Sequence, residues 1–350
     1  MTKSNLSICV PSNKNLSNSK ESISSAIGFC EATNSELIVS DNSNDENKVN
    51  LWNNLSLPYF KFLSSNENEN WAANWLNGIQ NSNSNFTGIV SDDDLIVNLS
   101  SSEFSYNDLE KDVIAVKPII SLWKHEDGIY KLNKYNIDAQ NSIDRVLQYL
   151  KLNAGNNSTF FSFFRTNYLR EIYTLIESHP TKGGYLDWAI TITMIASGKI
   201  IVDNSKLLIY KNNNWHGDQI FINNKVKELF KNSGLSEDSY KFEMIFRAID
   251  CFILNMRHNS NLENKEKLEV SIFLLELNIR FFEEYFYQNL SLFSDKEKKQ
   301  IKEFKNVETV TDKLNICLGL ISDSMPNLEE KYKNFYSKSL HKNWGNTFKI

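Results

Sequence analysis

Over its first ninety residues this chain alternates short apolar runs with segments of helical spacing, and that pattern narrows the possible folds more than any other feature. Leu6 to Val10 reads as a buried strand ended by Pro11. Lys20 to Cys30 then places Ile23, Ala26, Ile27 and Cys30 on one helical face. Glu36 to Ser40 is a second strand, closed by a polar turn from Asp41 to Asp45, and Tyr59 to Leu63 is a third. Asn70 to Gln80 is a helix carrying Trp71, Trp75 and Ile79, and Phe86 to Val90 is a fourth strand. Strand and helix in turn predict a parallel sheet covered by helices. Ligands of such sheets gather at the carboxyl ends of the strands.

From Val113 to Tyr210 the pattern loosens but stays mixed. Val113 to Pro118, Thr159 to Phe164, Ile200 to Val202 and Leu207 to Tyr210 are expected strands. Asn167 to Ser178 and Asp187 to Ser197 are expected helices, the second closed by Gly198. After Trp215 the segments Ser239 to Arg257, Lys265 to Asn289, Asp295 to Phe304 and Thr311 to Ser324 all carry helical periodicity. The expected class is therefore α/β, a mostly parallel mixed sheet flanked by helices over residues 1–215, with an α-helical domain or appendage over 216–350.

Composition excludes several functions. A formal charge of −5 argues against a general nucleic-acid coat. The stretch from Tyr185 to Val202 is interrupted by Asp187, Gly198 and Lys199, so it is no membrane span. Cys9, Cys30, Cys251 and Cys317 form no Cys-x-x-Cys pair, which predicts reduced, buried thiols and a cytoplasmic protein. No dinucleotide fingerprint or Walker A loop is present.

The sharpest chemical feature is Gly88-Ile89-Val90-Ser91-Asp92-Asp93-Asp94. Three consecutive carboxylates after an apolar strand repel one another unless a cation sits among them. Hard oxygen ligands there suit Mg²⁺ or Mn²⁺ completed by water and substrate phosphates. Read from the residues alone, the triplet equally suits a solvated turn capping the next element.

The ordered set of strand ends resembles the family 2 glycosyltransferases of the GT-A fold, over roughly Leu6 to Trp215. The residues that carry it are Ile8-Cys9-Val10-Pro11-Ser12, Ile38-Val39-Ser40-Asp41-Asn42, the Asn70 to Gly78 helix and the acidic triplet. The resemblance implies that Pro11 and Ser12 line a nucleotide pocket and that Asp41 accepts a hydrogen bond from the nucleobase. It places Asn74 toward the nucleotide-sugar. It makes Asp92 and Asp94 the frame of an Asp-x-Asp metal motif, with Asp93 between them and in the donor site. The implied donor is a nucleotide-sugar, a UDP-sugar first, and the implied cofactor is Mn²⁺ or Mg²⁺.

The same resemblance implies an acidic base at the start of a later helix, where Gly183-Gly184-Tyr185-Leu186-Asp187-Trp188 offers Asp187. Leu186 stands where many members carry a second acid. Read without the resemblance, Asp187 is a helix cap and Asp41 a turn residue bonding its own backbone. His216, after the last expected strand, matches a third metal ligand of some GT-A enzymes, and Lys211 could instead neutralise diphosphate. The expected activity is inverting, metal-dependent glycosyl transfer to a carbohydrate or glycolipid acceptor in polysaccharide or glycan synthesis. A non-catalytic carbohydrate- or partner-binding protein on the same scaffold is one alternative. A sugar nucleotidyltransferase is another, although Pro11 to Lys20 lacks the glycines that would hold triphosphate. The basic, aromatic tail from Lys331 to Ile350 suits either peripheral contact with anionic lipid or ordinary helix packing.

Overall fold

The computed structural model of the chain describes residues 5–65, 70–100, 104–212 and 219–340. Nine strands form one sheet among them. They are β1 (Leu6–Ser12), β2 (Glu36–Asp41), β3 (Phe60–Ser64), β4 (Phe86–Ile89), β5 (Leu95–Asn98), β6 (Val113–Lys124), β7 (Gly128–Asn133), β8 (Phe163–Arg165) and β9 (Lys199–Lys211). Their order is β3-β2-β1-β4-β8-β6-β9-β5, with β7 added to β6. Strands β1, β2, β3, β4, β6 and β9 point one way; β5, β7 and β8 oppose them. The expected mixed α/β class is thus what the chain adopts.

The helices are α1 (Leu16–Thr33), α2 (Glu46–Asn53), α3 (Trp71–Gln80), α4 (Ser142–Leu152), α5 (Thr166–Glu177), α6 (Leu186–Ser197), α7 (Gln219–Asn232), α8 (Glu243–Asn255), α9 (Asn264–Gln288), α10 (Asp295–Glu303), α11 (Val310–Ile321) and α12 (Leu328–Ser339). The chain divides into two compact units. One comprises Met1–Gln140, Leu147–Glu177 and Gly198–His216; the other comprises Asn141–Val146, Ser178–Ser197 and Gly217–Ile350. The division is not one cut, since α6 and the loop before it are grouped with the later helices.

In the first unit every residue of β1 is buried, as a central strand between β2 and β4 requires. Ile8, Val10, Leu37, Val39 and Phe86 join one apolar cluster with Ile23, Ala26 and Phe29 of α1. Full burial of a side chain such as Ile or Leu contributes roughly 1.5–3 kcal/mol. Helix α3 lies close on β1 and β2, with Gly78 against the Cys9 and Ser40 side chains. All four cysteines are buried and unpaired, as expected.

Three expectations about strands change. The first strand continues through Pro11 to Ser12, because β4 has already ended where Pro11 would otherwise donate. The last contact on that side is the Val90 amide on the Cys9 carbonyl, and Pro11 pairs only with Ser40. Thr159 to Phe164 is mostly a 3-10 turn, closed by the Ser162 hydroxyl on the Thr159 carbonyl, and the strand is Phe163–Arg165. The two late strands are one, β9, interrupted by a bulge. Asp203 Oδ1 holds it by accepting from the Ser205 amide at 2.8 Å and hydroxyl at 2.6 Å.

The second unit is helical. Its interior holds a His179–Asp250 pair at 2.9 Å, with neither side chain exposed. His179 Nδ1 accepts from the Thr181 and Lys182 amides at 3.2 and 3.1 Å, so Nε2 carries the proton that Asp250 receives. That pair pins the loop leading into α6. Tyr332, Phe335 and Tyr336 of α12 are buried, which assigns these tail aromatics to packing rather than to a lipid surface. Residues 341–350, with Trp344 and Phe348, lie outside the described residues. No helix among the described residues is long and apolar enough to cross a membrane.

Candidate functional site

The candidate site is built at the carboxyl ends of β1, β2 and β4, where parallel register brings the strand termini level. Ser12 and Asp41 are direct register partners. The chain leaves β4 through Val90 into a turn closed by the Asp94 amide on the Ser91 carbonyl at 3.1 Å. Pro11, Ser12, Asp41, Asn74 and the acidic triplet therefore share one end of the sheet.

Helix α2 follows β2 after a short loop and begins because Asp45 caps it, accepting from the Asn47 and Lys48 amides. Asp45 also accepts from the Leu16 amide at 2.7 Å, which ties the start of α1 to the same corner. One turn on, Lys48 is fully buried. Its ammonium donates to Ser12 Oγ and Asp41 Oδ1, each at 2.5 Å, and to the Lys14 carbonyl at 2.8 Å. Three donors meet three acceptors, so the buried charge is both paired and satisfied.

Ser12 passes the connection on. Its hydroxyl donates to Asp92 Oδ2 at 2.7 Å, and the Asn13 and Lys14 amides reach the same oxygen at 3.2 and 3.1 Å. The Lys14 ammonium lies 3.1 Å from Asp92 Oδ1 and 2.7 Å from Asp93 Oδ2. A chain of alternating charge thus runs Asp41, Lys48, Ser12, Asp92, Lys14, Asp93. Asp41 Oδ2 accepts from the Ser43 hydroxyl at 3.0 Å. Asn74 accepts from Ser40 at 2.7 Å and donates to Asn42 Oδ1 at 3.2 Å, so this buried amide braces the loop after β2.

Asp94 differs from its neighbours. Oδ1 accepts from the Lys211 amide at 2.8 Å, while buried Oδ2 has no hydrogen-bond partner among the described residues. Burial first, and the Asp93 charge second, push its carboxyl up to about 8; the Lys211 amide, the Lys14 charge and the Ser91 hydroxyl act the other way. The Lys211 side chain pairs with Glu21 at 2.8 Å.

Among the described residues no three histidine, cysteine or carboxylate side chains form a metal cage. A small divalent ion needs only one or two carboxylates when water and phosphate complete its shell. The donor set meets that requirement. Asp94 Oδ2 lacks a partner, and a half-exposed lysine is the charge partner of Asp92 Oδ1 and Asp93 Oδ2. Asp92 Oδ2 could keep its three internal donors throughout.

The remaining expected residues are Asp187 and His216. Asp187 lies in the first turn of α6, in the second unit, where its Oδ1 accepts from the Trp188 amide at 2.7 Å. His216 lies outside the described residues, as does Trp215. Sequence reading missed Lys14 and Lys48. The available signal for Lys48 was Asp45 as a cap three residues earlier, which would have placed a lysine in the first turn of a helix.

No family model matches the sequence, and no curated protein matches it. Among solved structures, the chain is similar to S. aureus TarS 1–349, at 14% identity and a TM-score of 0.49, covering 95% of this chain and 87% of that one. S. aureus TarS 1–349 in complex with UDP gives 14%, 0.47, 95% and 87%. The complex with UDP-GlcNAc gives 13%, 0.46, 95% and 87%.

Proposed function

We propose that this chain is a glycosyltransferase that moves a sugar from a nucleotide-sugar to an acceptor hydroxyl. The observation that carries the reading is the connected chain from Asp41 through Lys48 and Ser12 to Asp92, Lys14 and Asp93 at the ends of three parallel strands. It joins residues that the family 2 resemblance assigns to the nucleobase (Asp41), the nucleotide pocket (Ser12) and the metal motif (Asp92 and Asp93). In this reading Asp41, an acceptor-only carboxylate, would take a base N–H such as that of uracil, which requires the loop after β2 to shift, because its buried oxygens are engaged by Lys48 and Ser43. Pro11, Ser12 and Asn74 shape the pocket wall.

Asp92 and Asp94, with Asp93 beside them, would hold Mn²⁺ or Mg²⁺ together with the donor's diphosphate. Such an ion supplies Lewis-acid stabilisation of charge on the leaving phosphate oxygen. In the transfer, the acceptor oxygen bonds to the anomeric carbon as the bond from that carbon to the phosphate oxygen breaks. The electron pair leaves with the nucleoside diphosphate, and Asp187 takes the acceptor's proton. A single displacement of this kind inverts the anomeric centre. The acceptor is a carbohydrate or glycolipid hydroxyl.

UDP and UDP-GlcNAc, seen bound to TarS, are the first probes to try on this chain. The test is thermal unfolding against a nucleotide and nucleotide-sugar panel, with and without Mn²⁺. A ligand that binds only the folded state at a hundred times its Kd adds about 2.7 kcal/mol. A metal-enhanced shift for one nucleotide class, lost in Asp92→Asn/Asp94→Asn, is the expected result. No shift with any nucleotide would overturn the donor site.

A further inference from the structure

Lys14 is held in an unusual way. Its amide donates to Asp92 Oδ2 at 3.1 Å and its carbonyl accepts from buried Lys48 at 2.8 Å, so its backbone is fixed from both sides. The side chain is 34% exposed and reaches Asp92 Oδ1 and Asp93 Oδ2. An ammonium therefore occupies the oxygens that a divalent ion would need, on an arm whose root is hydrogen-bonded from both sides and whose side chain is part-exposed. Two cations cannot share those oxygens without strong repulsion. Once displaced, the ammonium needs another anion, and a diphosphate beside the same loop is the nearest chemical match.

We propose that Lys14 is an internal counterion that keeps the acidic loop closed to a divalent ion until a nucleoside diphosphate arrives to take the ammonium. This rests on the donor-site reading above. It makes ion and nucleotide binding mutually dependent: each strengthens the other by the same factor, because the coupling is a single free energy. Lys14 acts here by exchanging its carboxylate partners for the diphosphate.

The experiment is Mn²⁺ binding by electron paramagnetic resonance, without nucleotide and with saturating UDP, GDP or TDP. It compares wild type, Lys14→Met and Lys14→Arg, with calorimetry of nucleotide binding alone. In wild type, the matching nucleotide should tighten Mn²⁺ by about tenfold or more, a coupling inside the usual range for linked sites. Lys14→Met should bind Mn²⁺ more tightly without nucleotide and show a smaller ratio, the part that remains coming from phosphate completing the ion's shell, while Lys14→Arg retains the full ratio. A plain local charge effect would raise Mn²⁺ affinity equally in both states. An unchanged ratio in Lys14→Met therefore overturns the proposal and leaves the donor site standing. Nucleotide binding with no Mn²⁺ binding in any protein overturns both the metal reading and the proposal. Binding of neither overturns the donor site as well. Melting curves establish that each variant is folded.

Discussion

The Lys48 ammonium lies 2.5 Å from Asp41 Oδ1, and neither side chain reaches solvent. Removing one partner of a buried pair leaves the other charged and unsatisfied, which typically costs about 3–5 kcal/mol. Lys48→Met should destabilise the chain by that order in urea unfolding. Lys48→Met/Asp41→Asn should cost less than the sum of the single changes, since the double variant strands no charge. Additive losses would show that the pair is not coupled. Because Lys48 also holds Ser12, folded fractions of either variant should bind nucleotide more weakly.

A second buried lysine gives a pH-dependent prediction. Lys117 on β6 is fully buried, with its ammonium 3.2 Å from Thr159 Oγ1 and 3.3 Å from the centre of the Tyr135 ring. Burial first, and the Lys131 charge second, lower it from 10.5 to about 7. Between those values the unfolded chain binds more protons, so this group makes stability rise with pH from about 7 to 10.5; below 7 its cost is fully present. Lys117→Met should therefore stabilise most at pH 6, on the order of a few kcal/mol, and least near pH 10. Equal gains at both values in chemical denaturation would refute the linkage.

Close packing behind the acidic loop predicts a third effect. A Cβ on Gly88 of β4 would collide with the Phe163 ring and come within 3.2 Å of the Ile8 side chain. Overpacking of this kind costs about 1–3 kcal/mol. Gly88→Ala should lower the melting temperature, and Gly88→Ala/Phe163→Leu should recover part of the loss by making room.

How much was legible beforehand depends on what each residue needed. Leu6 to Val10, Glu36 to Ser40 and Phe86 to Val90 announced themselves because central parallel strands are buried on both faces and read as apolar runs. Their order carried Ser12, Asp41 and Asp92 to one end of the sheet. Strand β7 was not legible, since Ile129, Tyr130 and Leu132 are exposed and show no clean alternation. Helix α2 was missed because its eight residues bury only Lys48 and Trp52, too few for a periodic signal. That omission hid Lys48, whose burial depends on partners at positions 12, 14 and 41. Lys14 read as one more polar loop residue, for nothing local to it predicts that its charge answers carboxylates 78 and 79 residues away.

The assignment of Asp187 separates binding from chemistry. It lies in the first turn of α6, at the amino end of the helix. The His179–Asp250 pair fixes the loop before that turn. A general base typically contributes about 10²–10⁴-fold, so Asp187→Asn should lower kcat by that range while the asparagine preserves size and helix position. Nucleotide affinity, which the proposed donor site assigns to Ser12, Asp41 and the acidic triplet, should stay within about twofold if the side chain acts only on the acceptor's proton. Single-turnover transfer and calorimetric nucleotide binding on the same variant measure the two effects separately. A parallel loss of nucleotide binding would remove Asp187 from the role of base and make it part of the donor site instead. Unchanged kcat would leave it as a helix-terminal carboxylate, and the acceptor's proton would have to leave by another group.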